Sequence, residues 1–265
     1  MTTTVHDHSI SVANLRVGYT PDRPVISDLS LNIPGGQVTT IIGPNGCGKS
    51  TLLRAIGRLI PSQGGEVHLG DTDIGSMKRK DIAKTIGVLP QSPIAPPGLI
   101  VSDLVSRGRH PHQSWIRQWS SSDEEEVNAA LEMTDVAELA DRSVDSLSGG
   151  QRQRVWISMV LAQHTDVLFL DEPTTYLDLA HSIEVLDLVN RLRRDLDLAI
   201  RYSDNLVVMR DGDLFATGRP EEIITSELLK EVFELDASVI EDPVVGGPLI
   251  VPNDPYDIKG RKEQN

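Results

Sequence analysis

The chain has 265 residues and a formal net charge of −14. A chain of this length can bury one large core together with a subdomain. The acidic surplus argues against nucleic acid as a partner, because binding to phosphates needs clustered Lys and Arg side chains. No run of about 18 apolar residues is present, and the N-terminus lacks the basic and apolar regions of a secretory signal. The single cysteine, Cys47, permits no intrachain disulfide and is typical of a reducing cytosol.

The first part of the chain predicts short strands that lead into a phosphate-binding loop. Residues 11–17 and 29–33 alternate apolar and polar side chains, as strands with one buried face do. Residues 38–42 are an apolar, β-branched run, and residues 50–59 carry the apolar stripe of a helix. A buried strand, a glycine-rich loop and a helix in this order form the context of a phosphate-binding loop.

The loop itself fits the pattern G-x-x-x-x-G-K-[ST]. Its glycines let successive backbone N–H groups converge on phosphate oxygens, and the following helix adds its positive end. In this pattern Lys49 reaches the β- and γ-phosphates, and Ser50 ligates Mg²⁺. The structural alternative is a tight strand-to-helix turn with a chance Lys-Ser pair. The residues predicted to bind the nucleotide are Gly43, Pro44, Asn45, Gly46, Cys47, Gly48, Lys49, Ser50 and Thr51.

After a short strand at 86–91, the pattern changes to that of an inserted helical subdomain. A proline-rich loop leads to a helix that begins at Val101, and an amphipathic helix follows over 123–139. The α/β pattern resumes with a helix over 150–161 and an apolar strand over 167–170. The sequence therefore predicts a helical subdomain inserted into an α/β core.

These patterns also predict the domain boundaries. One α/β domain is expected over 8–235, with the helical subdomain at about 92–147. A helix over 221–233 closes this domain, and residues 236–265 are predicted to form a C-terminal tail.

Polar residues at the ends of two predicted strands are candidates for catalysis. Asp171 can hold Mg²⁺ through water, and Glu172 can polarise an attacking water molecule. The side-chain amide of Gln91 can reach the metal or that water. The structural alternatives are a helix N-cap for the carboxylate pair and a solvated loop residue for Gln91.

A second anion-binding helix N-terminus is predicted at Ser148, Gly149, Gly150 and Gln151. The structural alternative is an ordinary Ser-capped helix. Because the chain already has one phosphate site, a second one suggests a shared ligand.

The order and spacing of three motifs narrow the class of the protein. The run Leu147-Ser148-Gly149-Gly150-Gln151, with the loop at 43–51 before it and the strand ending in Asp171 after it, resembles the ATP-binding subunits of ABC transporters. The run Asp171-Glu172-Pro173-Thr174-Thr175-Tyr176-Leu177-Asp178 resembles the importers of ferric siderophores and cobalamin. The segment Gly108-Arg109-His110-Pro111-His112 points the same way.

The resemblance implies an α/β P-loop NTPase with a RecA-like core, an antiparallel β-subdomain and an inserted helical subdomain. It implies a homodimer that sandwiches two ATP molecules, in which residues 148–151 of one subunit cap the γ-phosphate on the other. Tyr19 occupies the position that stacks on adenine, with a strand-end tyrosine that packs on the β-layer as the alternative. Asp178 belongs to the loop that crosses the dimer interface. Lys49, Gln91 and Glu172 take the catalytic roles.

The resemblance also implies partners and a function. The expected function is that of an ATP-hydrolysing motor subunit of an importer for iron(III)-siderophores, peripheral on the cytoplasmic face of the membrane. A permease dimer would dock on the helical subdomain, with its Trp115 and Trp119, and a substrate-binding protein would act indirectly. The alternative is a nucleotide-binding subunit or regulator that does not hydrolyse ATP. A soluble protein of repair or translation is disfavoured by the lack of a basic patch and of a coiled-coil insertion.

The chain departs from the family pattern over residues 182–203. There the family has a core strand, between the strands that precede the P-loop and Asp171, which ends in a histidine that contacts the γ-phosphate. Residues 182–203 instead keep a helical stripe, and no histidine follows His181. We interpret this as a deletion of about a dozen residues near 195–198, enough for one strand and its loop. One core strand is therefore expected to be missing, which motivates the non-hydrolysing alternative.

Overall fold

The structure is a computed structural model that describes residues 8–91, 93–114, 119–171, 203–243 and 246–253. The N-terminal part of the chain forms an antiparallel sheet. Its strands are β1 (Ile10–Val17), β2 (Ile26–Ile33), β4 (Gly64–Leu69) and β5 (Thr72–Asp73), in the order β2-β1-β4-β5. Their alternating apolar side chains bury one face, as the sequence pattern requires. The predicted antiparallel β-subdomain is confirmed.

The core strands lie in two groups. They are β3 (Thr39–Ile42), β6 (Ile86–Leu89), β7 (Val167–Leu170), β8 (Asn205–Arg210) and β9 (Asp213–Gly218). In one group β3 pairs in parallel with β8, which pairs antiparallel with β9; in the other, β6 pairs in parallel with β7. Within the described ranges no strand pairing joins β3 to β7. The predicted deletion near 195–198 and the helical stripe over 182–202 lie outside the described residues.

Seven α-helices occur in the described part of the chain. They are α1 (Lys49–Ile56), α2 (Arg79–Thr85), α3 (Val101–Ser106), α4 (Ser121–Met133), α5 (Gly149–Ala162), α6 (Pro220–Ile223) and α7 (Ser226–Phe233). Three of them differ clearly from the predicted lengths, and the first is the helix expected over 50–59, which ends at Ile56. The helix expected over 123–139 ends at Met133, because Asp135 adopts a left-handed backbone with φ of 53°. The helix expected over 221–233 is two helices, because Thr225 caps a new start by accepting from the Leu228 amide.

The apolar side chains form three clusters. The first joins the antiparallel sheet to α1, whose Leu52 and Ile56 are fully buried. The second joins α3, α4 and α5. The third joins β8 to α7 and to a C-terminal hairpin of β10 (Ala237–Glu241) and β11 (Pro248–Pro252). The region predicted as a tail from 236 therefore includes a paired hairpin, and its Val239 and Ile250 pack on the third cluster.

A buried ion pair connects helices α4 and α5 through Arg109. Arg109 Nε donates to Asp123 Oδ1 at 2.9 Å, and Arg109 Nη1 donates to the Ala162 carbonyl at 2.8 Å. Both charged residues are at most 5% exposed. Burial alone would raise the pKa of the Asp123 carboxyl, but hydrogen bonds from Ser120 and Arg109 outweigh it and hold the pKa below its ordinary value of 3.8.

Arg109→Met is expected to destabilise the protein by about 3–5 kcal/mol at neutral pH, because it leaves the Asp123 carboxylate buried without a counter-charge. The stability from this pair is present above the unfolded pKa of 3.8 and is lost as the pH falls through the lower folded pKa. The difference in the free energy of unfolding between wild type and variant should therefore become smaller at acidic pH. Urea unfolding at several pH values measures it.

The matched control is Glu126→Gln on the same helix α4, which removes the charge of the half-buried partner of the exposed His164 and should cost about 1 kcal/mol or less. A double variant, Arg109→Met with Asp123→Leu, should recover most of the loss, since no charge is then left buried. A double variant as unstable as the single one would contradict this explanation.

Candidate nucleotide-binding site

The loop between β3 and α1 has a backbone that depends on its glycines. Gly43, Gly46 and Gly48 have φ values of 154°, 81° and 107°, which L side chains rarely adopt. A Cβ at Gly43 would also overlap the Met209 carbonyl oxygen of β8. The sequence therefore places glycine where the chain turns from a buried strand into a helix, and the loop can wrap its N–H groups around an anion.

Lys49, the first residue of α1, is held inside this loop. Its Nζ donates to the carbonyl oxygens of Gly43 at 2.8 Å and Pro44 at 3.0 Å, and it lies 3.9 Å from Cys47 Sγ. These partners are neutral, so they satisfy the donors of the ammonium group without neutralising its charge. An anion that enters the loop can exchange with these carbonyl oxygens and gain a charge-assisted hydrogen bond.

The structure brings Ser50 together with Asp171. Ser50 Oγ donates to Asp171 Oδ1 at 2.7 Å, although the two residues are 121 positions apart. Asp171 directly follows β7, is 5% exposed, and donates its backbone N–H to the Leu89 carbonyl of β6. Gln91 follows β6 at the same edge of this parallel pair. A hydroxyl in contact with a carboxylate, beside a strand that is followed by an amide residue, offers the kinds of oxygen ligand that Mg²⁺ prefers.

Arg54 is a site residue that the sequence interpretation missed. Its Nη2 lies 3.9 Å from Asp171 Oδ2, and its Nη1 donates to Tyr19 Oη at 3.2 Å. The signal available in the sequence was helical spacing, because Arg54 follows Ser50 by four residues and so shares its face of α1.

Tyr19 lies just after β1 and reaches over α1. Its hydroxyl is 3.4 Å from Thr51 Oγ1, and the residue is 61% exposed. A tyrosine packed on the β-layer would be covered, whereas this side chain is largely exposed; its role as a platform for adenine stays a prediction. The Tyr19 hydroxyl lies beside the first turns of α1, next to the glycine-rich loop.

The N-terminus of α5 is capped and open to solvent. Ser148 Oγ accepts from the Gln151 amide, and Gln151 Oε1 accepts from the Ser148 amide, which is a complete capping box. Ser148 and Gly149 are exposed, whereas Gly150 is buried. This geometry fits both predictions, an ordinary Ser-capped helix and a helix end that can bind an anion. Glu172, Asp178, His181 and Trp115 lie outside the described residues.

Residues 26–175 match the ABC transporter family. The chain belongs to this family. It is 46% identical over 268 aligned positions to the iron(3+)-hydroxamate import ATP-binding protein FhuC of Bacillus subtilis, covering 97% of this chain and 98% of that protein. It is 46% identical over 258 positions to the ferric enterobactin transport ATP-binding protein FepC of Escherichia coli, covering 91% and 95%. The solved ADP conformation of an ATP-binding cassette of an ABC transporter matches with a TM-score of 0.73 and 26% identity, covering 85% and 96%.

Membership of the family confirms the predicted class of protein, its α/β P-loop NTPase fold and its activity. ATP-binding import subunits of this family are ATPases coupled to transport, and they work with membrane permeases. The relatives support this interpretation and not the alternative of a non-hydrolysing regulator. No helix in the described ranges is long and apolar enough to cross a bilayer.

The alignment with the Bacillus subtilis protein also bears on the length of the chain. It spans 268 positions, whereas 97% of 265 residues is about 257 residues. About 11 positions of the alignment therefore have no counterpart in this chain. That number agrees with the size of the predicted deletion.

Proposed function

We propose that this chain is the ATP-hydrolysing subunit of an importer for iron(III)-siderophore complexes, bound at the cytoplasmic face of the cell membrane. The observation that carries the substrate class is the 46% identity, over more than nine-tenths of this chain, to two ATP-binding proteins for iron(3+)-hydroxamate import and ferric enterobactin transport. A substrate-binding protein would deliver the complex to the permease.

The described site supports Mg-ATP as the nucleotide. Lys49 would meet the β- and γ-phosphates in the glycine loop, and Ser50, Asp171 and Gln91 would hold Mg²⁺, which neutralises phosphate charge when bound. In the part of the chain that the structure describes, no group of three or more His, Cys, Asp or Glu side chains could hold a metal alone. A metal shared with the nucleotide fits this donor set. Glu172, next to Asp171, would accept a proton from the attacking water.

We also propose a head-to-tail homodimer, which the second helix N-terminus supports. The exposed end of α5, at Ser148 and Gly149, offers amide N–H groups to an anion. Within one subunit the glycine loop would itself surround the bound phosphate, so we propose that this end of α5 caps the γ-phosphate held by the other subunit. Asp178 would lie at the interface between the two copies.

A groove supports the docking of a permease. Its cavity of about 300 Å³ is lined by Gly57, Arg58, Leu59, Arg79, Ile82, Ala83, Ile86, Val88 and Gln163. It lies where the end of α1, α2 and β6 meet the residue that follows α5. Leu59 is 57% exposed at this groove, whereas Ile82 and Ile86 are buried. Apolar side chains beside two arginines suit an amphipathic helix with an acidic residue. We propose that a cytoplasmic helix of the permease occupies this groove, between the core and the helical subdomain at about 92–147.

Leu59→Glu is expected to reduce association with the permease about tenfold or more, because it places a charge in the apolar part of the groove. A candidate importer permease from the same organism is co-expressed with this chain, and co-purification from detergent-solubilised membranes measures the association. Binding of ATP should be unchanged. Cells that carry the variant should lose uptake of iron(III)-siderophores.

The control is Met133→Glu, which makes the same change at a 44% exposed residue of α4 outside the groove. It should leave both association and uptake at the wild-type level. Equal co-purification of wild type and Leu59→Glu would reject the groove, and normal siderophore uptake in cells without this chain would reject the substrate class.

A further inference from the structure

One arginine of α1 contacts residues at both ends of the proposed nucleotide site. Arg54 Nη1 donates to Tyr19 Oη at 3.2 Å, on the side expected for the base. Arg54 Nη2 lies 3.9 Å from Asp171 Oδ2, on the side expected for the metal. The planar guanidinium carries several donors in a fixed geometry, so one side chain can hold both groups at once.

We infer that Arg54 is a positioning residue that joins the Tyr19 platform to the Asp171 carboxylate. The inference rests on the proposed roles of these two residues in binding Mg-ATP. Arg54 sets the position of the tyrosine ring before the base arrives, and its positive charge stands near the carboxylate oxygen that Ser50 leaves free.

The Tyr19 contact has a definite consequence for nucleotide affinity. The ring is 61% exposed, so little packing fixes it, and its hydroxyl has hydrogen-bond contacts to Arg54 and, at 3.4 Å, to Thr51. Without Arg54 the ring becomes freer, and ordering it against a base costs side-chain entropy when the nucleotide binds. Loss of Arg54 therefore weakens nucleotide binding even without metal.

The Asp171 contact has the opposite consequence for the metal. Asp171 is 5% exposed, and its Oδ1 already accepts from Ser50 Oγ at 2.7 Å. A guanidinium 3.9 Å from Oδ2 offsets part of the carboxylate charge and so opposes a cation at the same place. Loss of Arg54 therefore lowers the Mg²⁺ concentration needed to saturate the site. A general loosening of the structure would weaken both ligands, so opposite shifts distinguish positioning from stability.

The test uses binding of a ribose-labelled fluorescent ATP analogue to the full chain, first in EDTA and then during a Mg²⁺ titration. Arg54→Met should weaken binding in EDTA about fivefold, as should Tyr19→Phe, and the double variant should be no worse than either. The Mg²⁺ midpoint should fall about three- to tenfold in Arg54→Met, a range that allows for solvent screening, and stay unchanged in Tyr19→Phe. Arg54→Lys keeps the charge and should keep the wild-type midpoint.

The control is Arg219→Met, an exposed arginine whose guanidinium lies 4.0 Å from the Glu221 carboxylate at the start of α6. In this variant, neither the affinity for the analogue in EDTA nor the Mg²⁺ midpoint should change. Additive losses in the double variant, or a Mg²⁺ midpoint that does not fall in Arg54→Met, would overturn the inference. If wild type itself fails to bind the analogue, the proposed nucleotide site fails instead, so the two failures are distinguishable.

Discussion

Lys49→Ala is expected to lower the affinity for ATP more than 100-fold and to abolish phosphate release. The ammonium group lies inside the glycine loop, 2.8 Å from the Gly43 carbonyl and 3.0 Å from the Pro44 carbonyl. A charged hydrogen bond to a phosphate lost from a partly buried loop removes several kcal/mol of binding and transition-state stabilisation. Equilibrium binding of the fluorescent ATP analogue and a phosphate-release assay measure the two effects.

The same variant tests the proposed sandwich dimer. With ATP present, wild type should elute from gel filtration as a dimer, because each phosphate chain is shared between the glycine loop and the end of α5 of the other copy. Lys49→Ala should elute as a monomer with or without ATP. Lys230→Ala, at an exposed position of α7, is the matched control and should behave as wild type.

Thermal unfolding without nucleotide should show that Lys49→Ala is folded. Binding within about threefold of wild type would show that Lys49 does not contact the phosphates. If the wild-type protein stays monomeric at saturating ATP, the proposed sandwich dimer is rejected, whereas the proposed ATP-binding site is not affected.

The local parts of the site could be predicted from the sequence. The turn from β3 into α1 needs positive φ at Gly43, Gly46 and Gly48. Because glycine adopts this conformation without strain, the three glycines in the sequence were enough to predict the turn. Strand β7 was predicted with its observed bounds, because a short apolar run between polar residues leaves little freedom in a buried parallel pair.

Contacts over long sequence distances could not be predicted in this way. Arg54 meets Tyr19 and Asp171, which lie 35 and 117 positions away along the chain. Helical spacing indicates that Arg54 shares a face of α1 with Ser50. Only the packing of the β-subdomain and of β7 around α1 shows which residues contact Arg54. The hairpin of β10 and β11 was missed for a related reason, since Val239 and Ile250, which pair with each other across the hairpin, pack on a cluster formed by α7 and the more distant β8.

The break in the predicted helix over 123–139 shows how a single residue can end a periodic pattern. Apolar side chains continue past Met133 at helical spacing, with Val136 buried. Asp135 nevertheless turns the chain with a positive φ, and Thr134 Oγ1 donates back to the Ala130 carbonyl at 2.9 Å. Asp tolerates this left-handed region better than most residues, but its presence alone does not require it.

The largest expected gain is in ATP turnover, from inserting the core strand that we predict to be deleted near residues 195–198. About 11 positions of the alignment with the Bacillus subtilis relative have no counterpart here, and no histidine follows His181. Strand β3 pairs with β8 and strand β7 pairs with β6, and within the described residues no pairing connects the two groups. A β-branched strand inserted between Leu196 and Leu198 would find a parallel edge on β3 and another on β7.

A strand of this kind that ends in histidine should raise phosphate release about 100- to 1,000-fold, because a fixed donor to the γ-phosphate stabilises the charge that develops there. The matched control is the same insertion ending in alanine, which restores the sheet without the donor. It should tighten ATP binding, by fixing β3 beside Asp171, but leave turnover near that of the original chain. Single-turnover phosphate release at saturating Mg-ATP separates the two contributions. Turnover that is equal in the original chain and in both insertions, and as fast as in an intact homologue, would show that this chain hydrolyses ATP without the donor and that its departure from the family pattern is harmless.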